Sequence, residues 1–280
     1  INELNLLNSV LNTRYSSDKK NFVVANGEYQ FNKDKTQNYK FKNNFRKDKM
    51  NIDLDLKFSY PFNIDLINYK QKVNEVGDIS LNLTFNKDSI NFKKIRYKKK
   101  KNLISVKDLK LNKNKFFSLN QIKVVTFDQA ISNNDFKIDF KKKIKVSGKK
   151  FDATNLMKFI KKKSDNNSLE KINKEIEINL KNVLTPLSKT LLDFRLIGLV
   201  KKGKFVKISS KGDFGNKNFL DISLRTDKKQ KKKYLEIYSD FPQPLLTEYS
   251  FFKGLKEGKL IFSLIFEKNK STSNLILEDF

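Results

Sequence analysis

The sequence predicts a mainly β protein built on a long, twisted antiparallel sheet, and two observations carry this prediction. Apolar and polar residues alternate with a period of two along most of the chain, and turns rich in Asn, Lys, Asp and Ser separate the alternating runs. Because successive side chains of a strand point to opposite faces, each run has one apolar and one polar face. Many such strands in series indicate a sheet covered on one side only. We expect the sheet to form a groove or a taco-like half-barrel with two or three short helices.

The apolar positions of five runs carry the functional expectation, because no constellation elsewhere suggests catalysis. The alternation places these residues on the apolar face of each strand, which we expect to line the groove. It does not show which face of a strand lies inside. The candidate residues are Leu54, Leu56, Phe58, Leu81, Leu83, Phe85, Phe136, Ile138, Phe140, Leu220, Ile222, Leu224, Phe262, Leu264 and Phe266.

The first part of the chain contains one predicted helix and one predicted irregularity. Apolar residues at helical spacing, from Leu4 to Leu11, favour a short amphipathic helix over residues 1–11. Strands and turns then follow from Phe22 to Val146. Between Phe92 and Ile95 the apolar phase slips by one residue, which predicts a β-bulge.

The alternation breaks at two further places, where short helices are expected. Gly148 ends a strand, and Asp152 or Thr154 is suited to cap a helix over residues 151–163. Pro244 suits the first turn of a second helix over residues 243–252. Two strands close the chain after it.

Composition argues against an enzyme. The chain has no Cys and no His, so thiol nucleophiles, disulfides, and catalytic dyads or triads that need histidine are excluded. Zinc bound by carboxylates alone would be unusual. The Asp residues are scattered without the paired spacing of acid–base catalysis, and Lys201–Lys204 reads as a hairpin rather than a phosphate-binding loop. We expect no cofactor and no metal.

The charge is strongly basic. Lys and Arg number 59 against 31 Asp and Glu, which gives a formal net charge of +28. Such an excess suggests nucleic acid or anionic lipid as a partner. Most of it is lysine at positions that suit the polar face of a sheet and its loops, where lysine discourages edge-to-edge aggregation. We therefore expect solvated faces, and only weak, sequence-blind and salt-sensitive binding to nucleic acid.

Two segments are distinguished by pattern. Residues 1–147 are expected to form a β-sheet groove segment with the N-terminal helix, and residues 148–280 a β region that contains the other short helices. We expect both to share one continuous sheet and to be a fragment of a longer protein, with any membrane anchor outside this segment.

The second half resembles the C-terminal region of the AsmA-like family over residues 145–280. Gly148, Phe151, Asp152 and Leu156 match its pattern Gly-x-x-(Leu/Phe)-Asp-x-x-x-Leu. Residues 235–246 are similar to a second element of that region, which is a strand that ends in Ser-Asp and is followed by a short Leu-Leu helix. Residues 252–280 resemble the closing strands of that region, except that Glu257-Gly258 stands where the family usually has Gly-Gly.

The resemblance implies a location and a task. AsmA-like, TamB-like and YhdP-like proteins are anchored in the inner membrane of diderm bacteria, build β-grooves across the periplasm, and are associated with phospholipid movement to the outer membrane. The resemblance thus implies a non-enzymatic envelope segment that takes part in outer-membrane biogenesis. Its expected partners are phospholipid acyl chains, the membrane, and other envelope proteins.

Two alternatives stay open at this point. Basic residues interleaved with Phe and Tyr, as in residues 92–99, are compatible with a single-stranded nucleic-acid-binding β protein. The apolar face is also compatible with the closed core of a purely structural β domain, because alternation is what every β-sandwich shows.

Overall fold

The computed structural model describes residues 3–16, 21–32, 35–156, 172–227, 229, 231–246, 257–268 and 270–279. Strands account for 73% and helices for 5%, so the expectation of a mainly β protein is confirmed. The chain divides into two compact units. Unit 1 comprises residues 1–63 and 70–129, and unit 2 comprises residues 64–69 and 130–280. The sequence-based boundary at residue 148 falls inside a strand of unit 2 and stays a prediction.

The sheet of unit 1 is antiparallel, in the order β1-β2-β3-β4-β7-β8-β9, and both β10 and β11 pair with β9. The short strands β5 and β6 lie in the connection between β4 and β7, on either side of the 3₁₀ turn Asp65–Ile67. The strands are β1 Leu4–Arg14, β2 Asn21–Phe31, β3 Gln37–Arg46, β4 Lys49–Phe58, β5 Phe62–Ile64, β6 Tyr69–Gln71, β7 Gly77–Asn86, β8 Ser89–Lys99, β9 Asn102–Asn112, β10 Lys115–Ser118 and β11 Gln121–Asp128.

In unit 2 the described residues form a sheet of nine strands in chain order, from β12 to β20. A second 3₁₀ turn, Pro186–Ser188, joins β14 to β15, and one short helix, α1 Gln243–Leu246, follows β18. The strands are β12 Ile131–Phe140, β13 Ile144–Asp152, β14 Lys174–Leu184, β15 Thr190–Lys201, β16 Lys204–Asp213, β17 Phe219–Asp227, β18 Lys232–Ser239, β19 Lys259–Phe266 and β20 Ser271–Glu278.

The predicted antiparallel pairing does not hold at one place. β13 and β14 run parallel, with Ile144 opposite Ile176 and Asp152 opposite Leu184. Parallel neighbours need a crossover connection of a dozen or more residues, whereas antiparallel neighbours need only a tight turn. The 21 residues from Ala153 to Asn173 supply that crossover here.

The predicted helix over residues 1–11 is also wrong, because this segment forms strand β1. A register shift between Leu7 and Val10, with Asn8 at φ 47°, marks a bulge in its pairing with β2. The bulge moves the apolar residues out of simple alternation, so their spacing imitates that of a helix. As a strand, this segment satisfies its backbone groups by hydrogen bonds to β2, whereas a short, exposed helix is only marginally stable in water.

The other irregularities follow the sequence more closely. The bulge between Phe92 and Ile95 is confirmed, since the pairing of β7 with β8 shifts there. Gly148 does not end its strand, because β13 continues to Asp152. The helix predicted over residues 151–163 therefore does not begin at residue 151. A Cβ at Gly148 would lie 2.5 Å from the Cα of Phe136, so close strand approach explains this glycine. Helix α1 confirms the start of the helix predicted over 243–252, and residues 157–171 and 247–252 lie outside the described residues.

Candidate functional site

A row of side chains that is apolar in eight of its nine members crosses the sheet of unit 2 on one face. Residues that stand directly opposite each other in neighbouring strands point to the same side. One such row runs through all nine strands, and seven of its members are half-buried rather than buried. The row is Ile138, Val146, Ile178, Leu196, Ser210, Ile222, Ile237, Phe262 and Leu275. We call this side of the sheet the apolar face of unit 2.

Unit 1 has an equivalent face. A row through eight strands is apolar throughout, and the six members from Phe41 onward are half-buried. The row is Leu11, Ala25, Phe41, Leu54, Leu81, Ile95, Val106 and Ile122. The opposite side of these strands carries Lys, Asp, Asn and Ser, so we call the two sides the apolar face and the polar face of unit 1.

All fifteen sequence-nominated residues lie on these two apolar faces. Those of β4 and β7 face each other directly in unit 1, as Leu54 and Leu81 do. Those of β12, β17 and β19 lie in unit 2. Eleven of the fifteen are half-buried, Phe266 is 40% exposed, and Phe136, Leu220 and Leu224 are buried.

One end of the apolar face of unit 2 is a closed core. Phe136, Leu180, Leu220 and Leu260 form part of a neighbouring row and are each between 3% and 6% exposed. The rings of Phe136 and Phe151 meet edge to face at 5.3 Å. Ile144 and Leu224, each 8% exposed, are buried on the other side of the half-buried row. The face therefore has buried positions on both sides of a half-buried row, a difference that strand periodicity does not reveal.

The apolar face of unit 1 is also closed at one end. Gln71, which is fully buried, donates from Nε2 to the carbonyl oxygens of Phe58 at 3.2 Å and Tyr60 at 2.8 Å. The Tyr97 hydroxyl donates to Oε1 of the same Gln71. Phe62 packs edge to face on Tyr97 at 5.2 Å. These contacts fasten the connection between β4 and β7 at this end of the sheet.

Tyr29 belongs to the same closed end and titrates abnormally. It is 4% exposed, and its hydroxyl donates to the carbonyl oxygen of Lys57. Burial, with a smaller contribution from Tyr60, raises the pKa of Tyr29 to about 12. Between the ordinary tyrosine pKa, about 10, and this value, the unfolded chain releases a proton that the folded chain keeps. The contribution of protonated Tyr29 to stability is therefore complete below pH about 10 and is lost as the pH rises towards about 12.

We expect Tyr29→Phe to be less stable than the wild type at pH 8, because the hydrogen bond to Lys57 is gone. The difference should shrink above pH 10, since only the wild type then loses the contribution of a protonated Tyr29. Urea unfolding followed by circular dichroism, at several pH values, measures this difference. Tyrosinate absorbance should show one late-titrating group that is missing in the variant. A constant difference at every pH would contradict the assignment.

Asp152, the acid of the Gly-x-x-Phe-Asp pattern, has a structural role in unit 2. It is 2% exposed, and its Oδ1 accepts hydrogen bonds from the backbone N–H of Thr154 at 3.0 Å and its Oγ1 at 2.6 Å. Oδ2 accepts from Nδ2 of Asn68 at 3.0 Å. The backbone N–H of Asp152 donates to Oδ1 of fully buried Asn134, whose Nδ2 donates to the carbonyl oxygen of Ile67. This network fastens the turn at residues 65–68 to the end of β13.

The Ser-Asp pair of the second pattern is also structural. Ser239 is fully buried, and its Oγ accepts from the backbone N–H of Phe241 at 3.1 Å. Oδ2 of Asp240 accepts from the backbone N–H of Phe219 at 2.9 Å, and Oδ1 accepts from the hydroxyl of Tyr238. The residues that carry the family resemblance thus shape the chain at strand ends.

The polar face of unit 1 contains a feature that the sequence reasoning missed. A hollow of about 770 Å³ is lined by charged side chains of both signs, among them Lys40, Asp55, Lys57, Asp78 and Arg96. The signal was the opposite charge of the polar positions on the two strands, with Lys40 and Lys42 on β3 and Asp53 and Asp55 on β4. Since positive and negative side chains intermix, the local charge of the hollow nearly cancels.

Within the described ranges, no three His, Cys, Asp or Glu side chains gather closely enough to hold a metal ion. None of the helices described is long and apolar enough to cross a membrane. No protein-family model, no curated protein and no solved structure matches this chain.

Proposed function

We propose that the apolar faces bind phospholipid acyl chains, and that the chain is a non-enzymatic segment of an envelope protein that transfers phospholipid between membranes. The observation that carries the proposal is the row through nine strands of unit 2, of which eight members are apolar and seven are half-buried. Contiguous exposed apolar surface beyond a few hundred Å² is rare on soluble monomers unless it binds something.

The amount of exposed surface supports an uncovered face. The chain exposes 19193 Å². Two separate compact globules of half its mass would together expose about 15,000 Å², from the usual scaling of surface with mass. The exposed surface is thus larger than that of compact globules of this mass, as expected where a sheet lacks a second layer over part of its apolar face.

The size and chemistry of the row suit acyl chains. At about 4.8 Å per strand, nine strands extend the row over roughly 38 Å. This exceeds the length of one acyl chain, which is about half of a 30 Å hydrocarbon core. Each methylene that leaves water on this face contributes about 0.8 kcal/mol and needs no hydrogen-bond partner. The one polar member, Ser210, is buried and donates to the carbonyl oxygen of Ile222 at 3.3 Å, so the rest of the row is Ile, Leu, Val and Phe, along which chains could move.

The resemblance to AsmA-like proteins adds a location to this proposal. Under it, the sheet forms a groove or taco-like half-barrel in the periplasm, and an anchor outside this segment holds it to the inner membrane. Other envelope proteins would be its partners in outer-membrane biogenesis. The structural roles of Asp152, Ser239 and Asp240 support the resemblance, since a fold signature is expected to consist of residues that shape the chain.

Site-specific photo-crosslinking tests the proposal. We expect a photoreactive amino acid at Leu83 or at Ile222 to capture phospholipid from a bacterial membrane extract, detectable by mass spectrometry. Each position has a matched control one residue away on the opposite face, Asn82 and Ser223, which is half-buried to a similar degree. The controls should capture no lipid. Equal capture on both faces, or none at either apolar position, would refute acyl-chain binding.

A further inference from the structure

The polar face of unit 1 carries a cluster of lysines that we call the basic patch. It consists of Lys94, Lys107, Lys110 and Lys123, on β8, β9 and β11, and all four are exposed. Lys94 stands directly opposite Lys107. Lys123 stands opposite Ser105, which is two residues from Lys107 along β9.

The register makes this patch different from the centre of the polar face. There, Lys40 faces Asp55, Lys42 faces Asp53, and Lys57 forms an ion pair with Asp78 at 2.5 Å. Another like-charge pair, Arg46 and Lys49, lies beside the turn between β3 and β4. Among the described residues, no lysine of the basic patch contacts a carboxylate. Like charges directly opposite each other destabilise a sheet. An external anion bound beside them would therefore reduce the repulsion between Lys94 and Lys107.

We propose that the basic patch binds the surface of a membrane that contains anionic phospholipid. The inference is independent of acyl-chain binding by the apolar face. Anionic headgroups attract clustered lysines without requiring a fixed geometry. The patch is built from lysines, which act as mobile point charges, rather than from arginines, which favour bidentate recognition.

The neighbouring side chains favour a membrane over nucleic acid. Single-stranded nucleic acid is normally held by basic side chains together with aromatic rings that stack on bases. Here Phe92 and Tyr97 of β8 align with Leu109 and Ile104 in the apolar rows. Ser105, together with Asn91 and Gln121, stands opposite the patch lysines. These side chains provide no stacking platform, and Asn91 and Gln121 are half-buried polar groups beside which headgroups can pack. The exposed rings of Phe116 and Phe117 lie on β10, next to Lys110 rather than to Lys94, Lys107 and Lys123.

Vesicle co-sedimentation of the full chain tests the proposal. The probe is phosphatidylcholine vesicles with or without a minority of phosphatidylglycerol. The test variant is Lys94→Gln/Lys107→Gln/Lys123→Gln, and the control is Lys40→Gln/Lys42→Gln/Lys57→Gln, which removes the same charge from lysines that face carboxylates. We expect the test variant to bind anionic vesicles at least tenfold more weakly than the wild type, and the control to stay within about threefold. Neither should bind pure phosphatidylcholine appreciably.

Further arms separate the alternatives. Lys94→Arg/Lys107→Arg/Lys123→Arg should retain vesicle binding, because it keeps the charge, and the thermal unfolding of every variant shows that it folds. Equal losses in the test and control variants would overturn the proposal, since diffuse charge would then explain binding. A test variant that keeps vesicle binding but loses binding to a single-stranded oligonucleotide would overturn it in favour of nucleic acid.

Discussion

Asp152→Ala is expected to lower the free energy of unfolding of unit 2 by about 2–4 kcal/mol, because hydrogen bonds to a charged group contribute more than neutral ones. The substitution removes the acceptor for the backbone N–H and Oγ1 of Thr154 and for Nδ2 of Asn68. A domain is typically stable by only 5–15 kcal/mol, so such a loss would be a large part of the total.

Two further variants make this prediction specific. Asp152→Asn keeps an oxygen for Thr154 but presents an amide N–H group to Asn68, so about 1–2 kcal/mol should be lost. Asp221→Ala serves as the matched control, since Asp221 pairs with Lys211 at 3.6 Å on the surface and should cost under about 1 kcal/mol. Chemical unfolding and hydrogen exchange of the β13 amides measure the effects. Similar losses for Asp152→Ala and Asp221→Ala would show that the buried network contributes little.

The strands could be predicted from the sequence because one face of each is apolar and the other polar. The pairing of Leu54 with Leu81, or of Ile222 with Ile237, follows once neighbouring strands keep their apolar residues on the same side. Strand β1 could not be predicted in this way. Its bulge near Asn8 depends on pairing with β2, which is a non-local interaction that periodicity does not record.

The division of the apolar faces into closed and half-exposed parts could not be predicted either. Leu220 and Ile222 lie two residues apart in the same alternating run, yet Leu220 is 4% exposed and Ile222 is half-buried. Whether a side chain is covered depends on what the chain brings over that part of the sheet. The same holds for Asp152, whose partners Asn68 and Asn134 are remote in sequence.

The charge pattern was predictable in part. The sequence indicates that lysines occupy polar positions of strands, and Lys40 and Lys42 do lie on the polar face of unit 1, opposite carboxylates. Only the register shows that Lys94 and Lys107 stand opposite each other instead. The net charge of +28 is thus distributed unevenly. The vesicle experiment tests the lysines of the basic patch, which do not face carboxylates.

Leu81→Asp is expected to weaken lipid capture by a photo-crosslinker at Leu83 at least tenfold while leaving the chain folded. Leu81 is half-buried in the centre of the apolar row of unit 1, between Leu54 and Ile95. A carboxylate there stays hydrated and prevents three or four methylenes from leaving water, which corresponds to about 2–3 kcal/mol. Because the position is only half-buried, folding should lose much less than at a sealed site.

Two comparison variants separate binding from folding in this experiment. Ser80→Asp places the same charge one residue away, on the polar face of β7, and should leave capture at Leu83 unchanged. Leu220→Asp places it in the closed core of unit 2 and should unfold that unit, because a buried, unpaired charge costs several kcal/mol. Circular dichroism and thermal unfolding monitor the fold, and quantitative mass spectrometry monitors the captured lipid. If Leu81→Asp unfolds the chain as Leu220→Asp does, the row at Leu81 is a sealed core. If it folds and capture at Leu83 persists, acyl chains do not bind along this row.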